Sequence, residues 1–256
     1  MMERRTFLAS AAIFALALPL GGCGDDQFPD YHYKMMIYVG DKAYSSVRAI
    51  EQKQVFSAAD SSGHAVRRRL HGQAVILDLL DGRTVYALLS KPDEFEYALN
   101  MANYALLPLV PAFKRDPRFD DLRPERGTES LDRMAEVQRQ MVAIKGEHEL
   151  PRMRPNPWKS RDGEPSEIDA WPIFVTFDDP VNPKSVHETS PASVGVSRIA
   201  IEITDENVTK GIEKRLPWVL SHIGSLVRTA PGQSKWDKPP VYRLNRSAFT
   251  MDTSNE

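Results

Sequence analysis

The sequence predicts an α+β fold: an N-terminal antiparallel β-meander, two central helices, then C-terminal strands with short helices. Three observations carry this. Gly40-Asp41 and Asp81-Gly82 are two-residue hairpin signals flanked by β-type runs. Two later stretches repeat apolar residues at helical spacing. Further β-type runs, 173–177 and 198–204, lie beyond those helices, so strands and helices are segregated rather than alternating.

Along the chain, 33–39 reads as a strand, Gly40-Asp41 as its turn and 43–50 as its partner. Asp60-Ser61-Ser62-Gly63 is a loop, and 65–70 a third strand. Residues 74–79 and 84–89 flank Asp81-Gly82. Val75, Leu77 and Leu79 alternate with Ile76 and Asp78, which predicts cover on most of both faces. Together these runs predict a meander of about five strands. Pro92 and Asp93 open a helix to Leu107, with Phe95, Leu99, Ala102 and Leu106 on one face and Pro108 and Pro111 stopping it. Residues 114–129 contain Pro117, Pro124 and Gly127 and form an exposed connection. Ser130 caps a second helix over 131–144, whose Leu131, Met134, Val137, Met141 and Ile144 make one apolar stripe. Residues 147–171, rich in proline and charge, read as a long surface loop. Residues 173–177 are a buried-type strand, and in 198–204 Ile199, Ile201 and Ile203 alternate with Ala200 and Glu202. Residues 211–222 have a helical pattern in which Pro217 starts a second turn, with Thr209 as a cap, and 241–244 make a last strand.

In domain terms, 1–22 is an export signal, 23–31 Cys23 with a polar tether, 32–246 the folded body and 247–256 a polar tail that frays. The connection within 108–130 allows either one body or two subdomains. The chain has 41% hydrophobic and 27% charged residues and a net charge of −2, which is globular in composition and gives no bulk attraction to nucleic acid.

Residues 1–23 have the parts of an export signal. Arg4 and Arg5 give a basic start, 7–20 is uncharged, and Leu20-Gly21-Gly22-Cys23 ends it with small residues. Fourteen helical residues cover about 21 Å, short of a bilayer core of about 30 Å. The tetrapeptide resembles the lipobox of bacterial lipoproteins. That resemblance implies cleavage before Cys23, acylation of its thiol and a stable membrane anchor. Cys23 is the single cysteine, so an internal disulfide is excluded. Arg4-Arg5-Thr6-Phe7-Leu8 also resembles a twin-arginine export motif, although Glu3 and Ala9 depart from the full pattern. No cofactor is inferred from it. Gly24, in place of an aspartate after the cysteine, leans towards the outer rather than the inner membrane by the enterobacterial sorting rule.

Motifs for chemistry are sparse. The histidines, at 32, 64, 71, 148, 187 and 222, lack metal-ligand spacing, and His64 and His71 flank Arg67, Arg68 and Arg69, which repel a cation. No nucleophile elbow or phosphate loop is present. Asp178-Asp179 follows a strand and precedes Pro180. Acids there suit acid–base chemistry, but adjacent residues point apart in extended chain and Asp-Pro favours turns, which is the preferred reading. Alternation puts Arg68 opposite to Arg67 and Arg69. A headgroup-binding patch needs more than two cations per face, and a solvated strand edge is preferred. Trp158 and Trp171 bracket the long loop and read as packing residues, with carbohydrate or partner contact as the alternative.

Residues 202–218 and the Val-Thr-Phe-Asp-Asp-Pro stretch ending at Pro180 resemble uncharacterised proteobacterial envelope proteins. The resemblance brings no activity. It singles out Asp178, Asp179, Asp205, Glu206, Glu213, Lys214, Arg215 and Trp218 as candidate binding residues without roles. The expectation is a lipid-anchored, periplasm-facing envelope protein that binds or scaffolds, with no catalytic residue, metal or cofactor assigned. Its partners are the membrane, through the anchor, and an envelope protein or glycan. The alternatives are an envelope hydrolase using Asp178, Asp179 and Asp205, and a membrane-surface lipid binder using Arg67, Arg68 and Arg69.

Overall fold

The computed structural model of the protein describes residues 27–56, 64–91, 94, 96–114, 128–155, 167–227, 232, 234 and 238–251. The signal, with Arg4, Arg5, Phe7, Leu8, Leu20, Gly21, Gly22 and Cys23, lies outside the described residues, as do Pro92, Asp93, Phe95 and Trp158. The strands and helices are β1 (Tyr31–Val39), β2 (Lys42–Phe56), β3 (His64–His71), β4 (Val75–Asp78), β5 (Thr84–Ala87), α1 (Tyr97–Leu106), α2 (Pro111–Lys114), α3 (Thr128–Val142), β6 (His148–Glu149), β7 (Met153–Pro155), β8 (Glu167–Asp169), β9 (Phe174–Phe177), β10 (Val186–Thr189), α4 (Pro191–Val194) and β11 (Val196–Thr204).

The fold is α+β. A five-stranded sheet has the order β3-β2-β1-β11-β6, a four-stranded sheet the order β10-β9-β5-β4, and β7 pairs with β8. Pairing of β1 with β2 and β11, β2 with β3, and β4 with β5 is antiparallel. Alternation fixes the faces. Tyr31, Tyr33, Met35 and Ile37 of β1, with Ile199, Ile201 and Ile203 of β11, point inward. They meet Tyr97, Met101, Ala105 and Leu106 of α1 and Val75, Leu77, Val85 and Ala87 of the second sheet. The opposite face of that second sheet carries Ala74, Tyr86, Leu88 and Val175, covered by Ile212, Leu216, Trp218, Val219, Leu244 and Phe249. The expectation of cover on both faces of 74–79 is therefore met. Val137 and Met141 of α3 join the same cluster as Tyr33 and Leu106, so buried contacts run across the 108–130 connection.

Several local expectations are corrected. The meander stops at three strands: β4 and β5 belong to the second sheet. Gly72, at φ +142°, turns the chain out of the first sheet, and the Cβ it lacks would lie 2.9 Å from Arg48 Cγ and 3.3 Å from Arg48 Cα. α1 begins at Tyr97 rather than at Pro92, after a turn in which Glu94 N donates to Lys91 O at 3.1 Å. Pro108 sits in a 3₁₀ turn, Leu107–Leu109, and Pro111 opens α2 instead of ending a helix, since a first-turn proline gives up no needed donor. α3 starts at Thr128, so Ser130 lies inside its first turn and is not the cap.

The segment 147–171 is not wholly loop. It contributes β6, β7 and β8, and Leu150, Ala170 and Trp171 are buried. Residues 211–222 form a 3₁₀ turn, Ile212–Lys214, and further turns, because Pro217 lacks the donor a continuous helix needs. Thr209 caps nothing there: its N donates to Val47 O at 3.0 Å and its hydroxyl accepts from Val47 N at 2.9 Å, where β3 has ended. The expected strand at 241–244 is a 3₁₀ turn, Pro240–Arg243, opened by proline. The expected fraying from 247 does not hold as far as Met251. Ala248 and Phe249 are fully buried, and Ala74 N donates to Phe249 O at 2.8 Å.

Gly72→Ala forces both a left-handed backbone and a clash, and is expected to cost about 2 kcal/mol or more in urea unfolding. An unchanged midpoint would refute the close approach. Burial also pushes the Tyr31, Tyr33 and Tyr97 hydroxyls above the ordinary phenol range of about 10, with Arg48 opposing the shift at Tyr33 and Tyr97. Raised folded-state values mean that this stability is complete below about pH 10 and is lost as pH rises through the folded-state values. Tyrosinate absorbance of these three should rise together with loss of near-ultraviolet circular dichroism. Their independent ionisation in intact protein would contradict the burial.

Candidate functional site

Three of the eight candidate residues, Asp178, Asp179 and Trp218, fall on two turns beside the second sheet. β9 ends in a tight turn at 178–182, built by Asp179. Its Oδ1 accepts from Val181 N at 3.0 Å, its carbonyl from Asn182 N at 3.0 Å and Ser185 Oγ at 2.8 Å, and its own N donates to Ser185 Oγ at 3.0 Å. This is the turn-forming role that Asp favours. Asp178 Oδ2 lies 2.6 Å from His187 Nε2 on β10, with both side chains exposed.

The second turn follows the 3₁₀ segment Ile212–Lys214. Trp218 Nε1 donates to Pro180 O at 2.9 Å, tying the two turns together. The Trp218 ring is buried among Phe177, Phe249 and His222, with centroids at 5.7, 5.5 and 5.8 Å. Tyr86 packs edge-on to Phe177 at 5.7 Å, and burial pushes its hydroxyl up to about 12. Trp218 is thus the internal post of a corner whose outer surface is formed by other residues. Val181 is 67% exposed, Leu220 48% and Ile223 90%. Arg246 holds this turn by donating to Leu220 O at 2.7 Å.

The other candidates do not join that corner. Arg215 reaches Asp78 Oδ2 at 2.6 Å, and Asp78 Oδ1 accepts from Thr84 Oγ1 at 2.9 Å, closing the β4–β5 hairpin. Glu213 and Lys214 stand on the intervening 3₁₀ turn. Asp205 and Glu206 follow β11 on the first sheet, where Glu206 pairs with Lys34 at 2.6 Å and its carbonyl lies 2.8 Å from His32 Nδ1. Among the described residues, no hydrogen bond or ion pair links Asp178 or Asp179 to Asp205 or Glu206. No group of three or more histidines, aspartates or glutamates is placed to hold a metal ion among the described residues.

β3 is the edge of the first sheet. Arg67 and Arg69 are exposed, while Arg68 turns inward to Asn100 Oδ1 at 2.8 Å and Glu96 Oε2 at 2.5 Å on α1 and its approach. Trp171 is a packing residue: its Nε1 donates to Leu150 O at 3.0 Å, and Arg152 stacks 5.3 Å over its ring.

Sequence reasoning did not find two features. One is a part-buried polar latch in which Arg154 pairs with Glu94 at 2.6 Å and lies 4.0 Å over the Tyr104 ring, while the Tyr104 hydroxyl donates to Glu94 Oε1. Burial, then Glu94, raises the Tyr104 hydroxyl above the phenol range. The other is the exposed apolar trio, whose members in isolation look like core residues. No family model, curated protein or solved structure matches the chain.

Trp218→Ala is expected to cost about 3 kcal/mol or more through the cavity it opens. Ile223→Ser should stay within about 0.5 kcal/mol of wild type, because that side chain meets water already. Equal losses for the two in thermal unfolding would overturn the division into buried post and exposed surface.

Proposed function

We propose that the chain is a lipid-anchored protein of the bacterial envelope, exported and held through Cys23, whose α+β body faces the periplasm and works by binding or scaffolding. The observation that carries this reading is the signal ending in Leu20-Gly21-Gly22-Cys23. Gly24 favours the outer membrane.

The start of the folded body supports it. Phe28 is buried with Leu131 and Ala135 of α3. Arg139 Nη1 donates to Gln27 O at 3.0 Å, Gln52 Nε2 to Pro29 O at 2.8 Å, and Gln52 N to Asp30 Oδ1 at 2.6 Å. From Cys23 to Phe28 is five residues, which span at most about 18 Å. An acyl chain on Cys23 would therefore hold the body close to the bilayer.

The hydrogen-bonded Pro180–Trp218 corner, with Val181, Leu220 and Ile223 exposed, suits contact with an envelope protein or a glycan. A hydrolase built on Asp178, Asp179 and Asp205 draws no support from these side chains, since Asp179 is committed to its turn and Asp205 follows β11 of the other sheet.

Labelled palmitate fed to an expressing bacterium should enter the wild-type protein and sediment with membranes. Cys23→Ser should lose both the label and the sedimentation. Unlabelled wild-type protein in the soluble fraction would defeat the proposal.

A further inference from the structure

We propose that the outer face of β2 and β3 docks on bilayer headgroups rich in anionic phospholipid, setting the orientation of the body on its membrane; this rests on the anchored reading above. Strand register supplies what the sequence by itself lacks. Arg67 and Arg69 share one face of β3, and β2 places Lys53 directly opposite Arg67 and Glu51 directly opposite Arg69. Opposite residues of an antiparallel pair stand on the same face with Cβ atoms about 5 Å apart. Three cations thus share one exposed surface, and its acid, Glu51, lies 3.2 Å from His71 Nε2.

The pair Lys53–Arg67 is unfavourable within the fold, because like charges directly opposite repel. Neither side chain has an acidic partner among the described residues. Cations on β3 are accounted for by protection of a sheet edge. Lys53 lies beyond Ile50, where the pairing of β2 with β1 ends, so it too stands on a strand paired on one side, and the three cations form one cluster along that edge. A sheet of negative headgroups relieves all three charges together.

The tether brings the face to such a surface. Asp30, seven residues after Cys23, bonds the backbone N of Gln52 at 2.6 Å, and Gln52 immediately precedes Lys53. Chain geometry limits Cys23 to within about 25 Å of that bond, and basic groups near an anionic bilayer are drawn in over about a Debye length.

The test uses the full chain, purified from a bacterium that lipidates exported proteins and reconstituted in phosphatidylcholine vesicles with or without phosphatidylglycerol. Amine acylation of Lys53 is followed by mass spectrometry, with exposed Lys184 as the internal reference. Lys53 labelling relative to Lys184 should fall about fivefold on phosphatidylglycerol vesicles and recover in high salt. Protection should be lost in the Arg67→Ser/Arg69→Ser double variant and kept in Arg67→Lys/Arg69→Lys. Equal Lys53 labelling on the two vesicle types, with protein still vesicle-bound, overturns the docking face. Wild type that does not stay on phosphatidylcholine vesicles overturns the anchor instead, and the Lys53 comparison on phosphatidylglycerol vesicles still decides the face.

Discussion

The link between β3 and β4 is the constraint on which the two-sheet arrangement rests. Only Gly72, Gln73 and Ala74 separate a strand of the first sheet from a strand of the second, and their polar groups reach three other parts of the chain. Gln73 O accepts from Ser46 Oγ at 3.0 Å and Arg48 Nε at 3.4 Å on β2, and Gln73 Oε1 accepts from Ile212 N at 2.9 Å. Gly72 O accepts from Met251 N at 2.9 Å. Backbone groups leaving a sheet must find new partners or be left unpaired in the interior. Here the partners are β2, the turn after β11 and the C-terminal segment, so one short link joins both sheets and the cover of the second.

Arg48 gives this link its cost. It is fully buried, and its hydrogen bonds, to Gln73 O, Tyr33 Oη and Met101 Sδ, are each 3.4 Å long. Its guanidinium lies 5.7 Å from the Tyr33 ring, and Nη2 has no hydrogen-bond partner among the described residues. Burying a cation with long bonds to neutral groups is unfavourable unless the surroundings compensate. The compensation is distributed: the Tyr33 hydroxyl, itself fixed by donating to Ala98 O at 2.6 Å, the ring face and a polarisable thioether. Because Gly72 lies against the Arg48 stem, the side chain and the crossing hold each other in place.

How far the fold could be read from sequence follows from how local each determinant is. The hairpins at Gly40-Asp41 and Asp81-Gly82, the β1 and β11 alternation and the α3 stripe were legible because a few consecutive residues decide them. The signals of α4 are equally local: Ser190 caps it, Pro191 opens it and Gly195, at φ +79°, closes it. The departure at Gly72 was not legible, because its reason is Arg48 on another strand. Likewise Phe249 in a polar tail gives no local sign that Trp218 and Tyr86 await it. At the candidate site, the turn role of Asp179 was readable from Asp-Pro chemistry. The separation of Asp205 and Glu206 from Asp178 depends on which sheet each strand joins, and no spacing in the sequence encodes that.

The same dependence on register gives the two surfaces of the molecule different characters. On the Pro180–Trp218 corner, a buried aromatic cluster stands behind turns on which Val181, Leu220 and Ile223 are exposed to water, apolar side chains that carry no charge. On the β2–β3 face, the charges lie on strands strapped to the N-terminal segment through Gln52. A pull on the tether is borne by backbone and side-chain hydrogen bonds to the strand that carries Lys53, and by the packing of Phe28 under α3. If Cys23 is acylated, membrane attachment therefore acts on the first sheet, while the corner stands on the second, which is joined to the first by the Gly72 link, by the β10–α4–β11 connection and by the shared core.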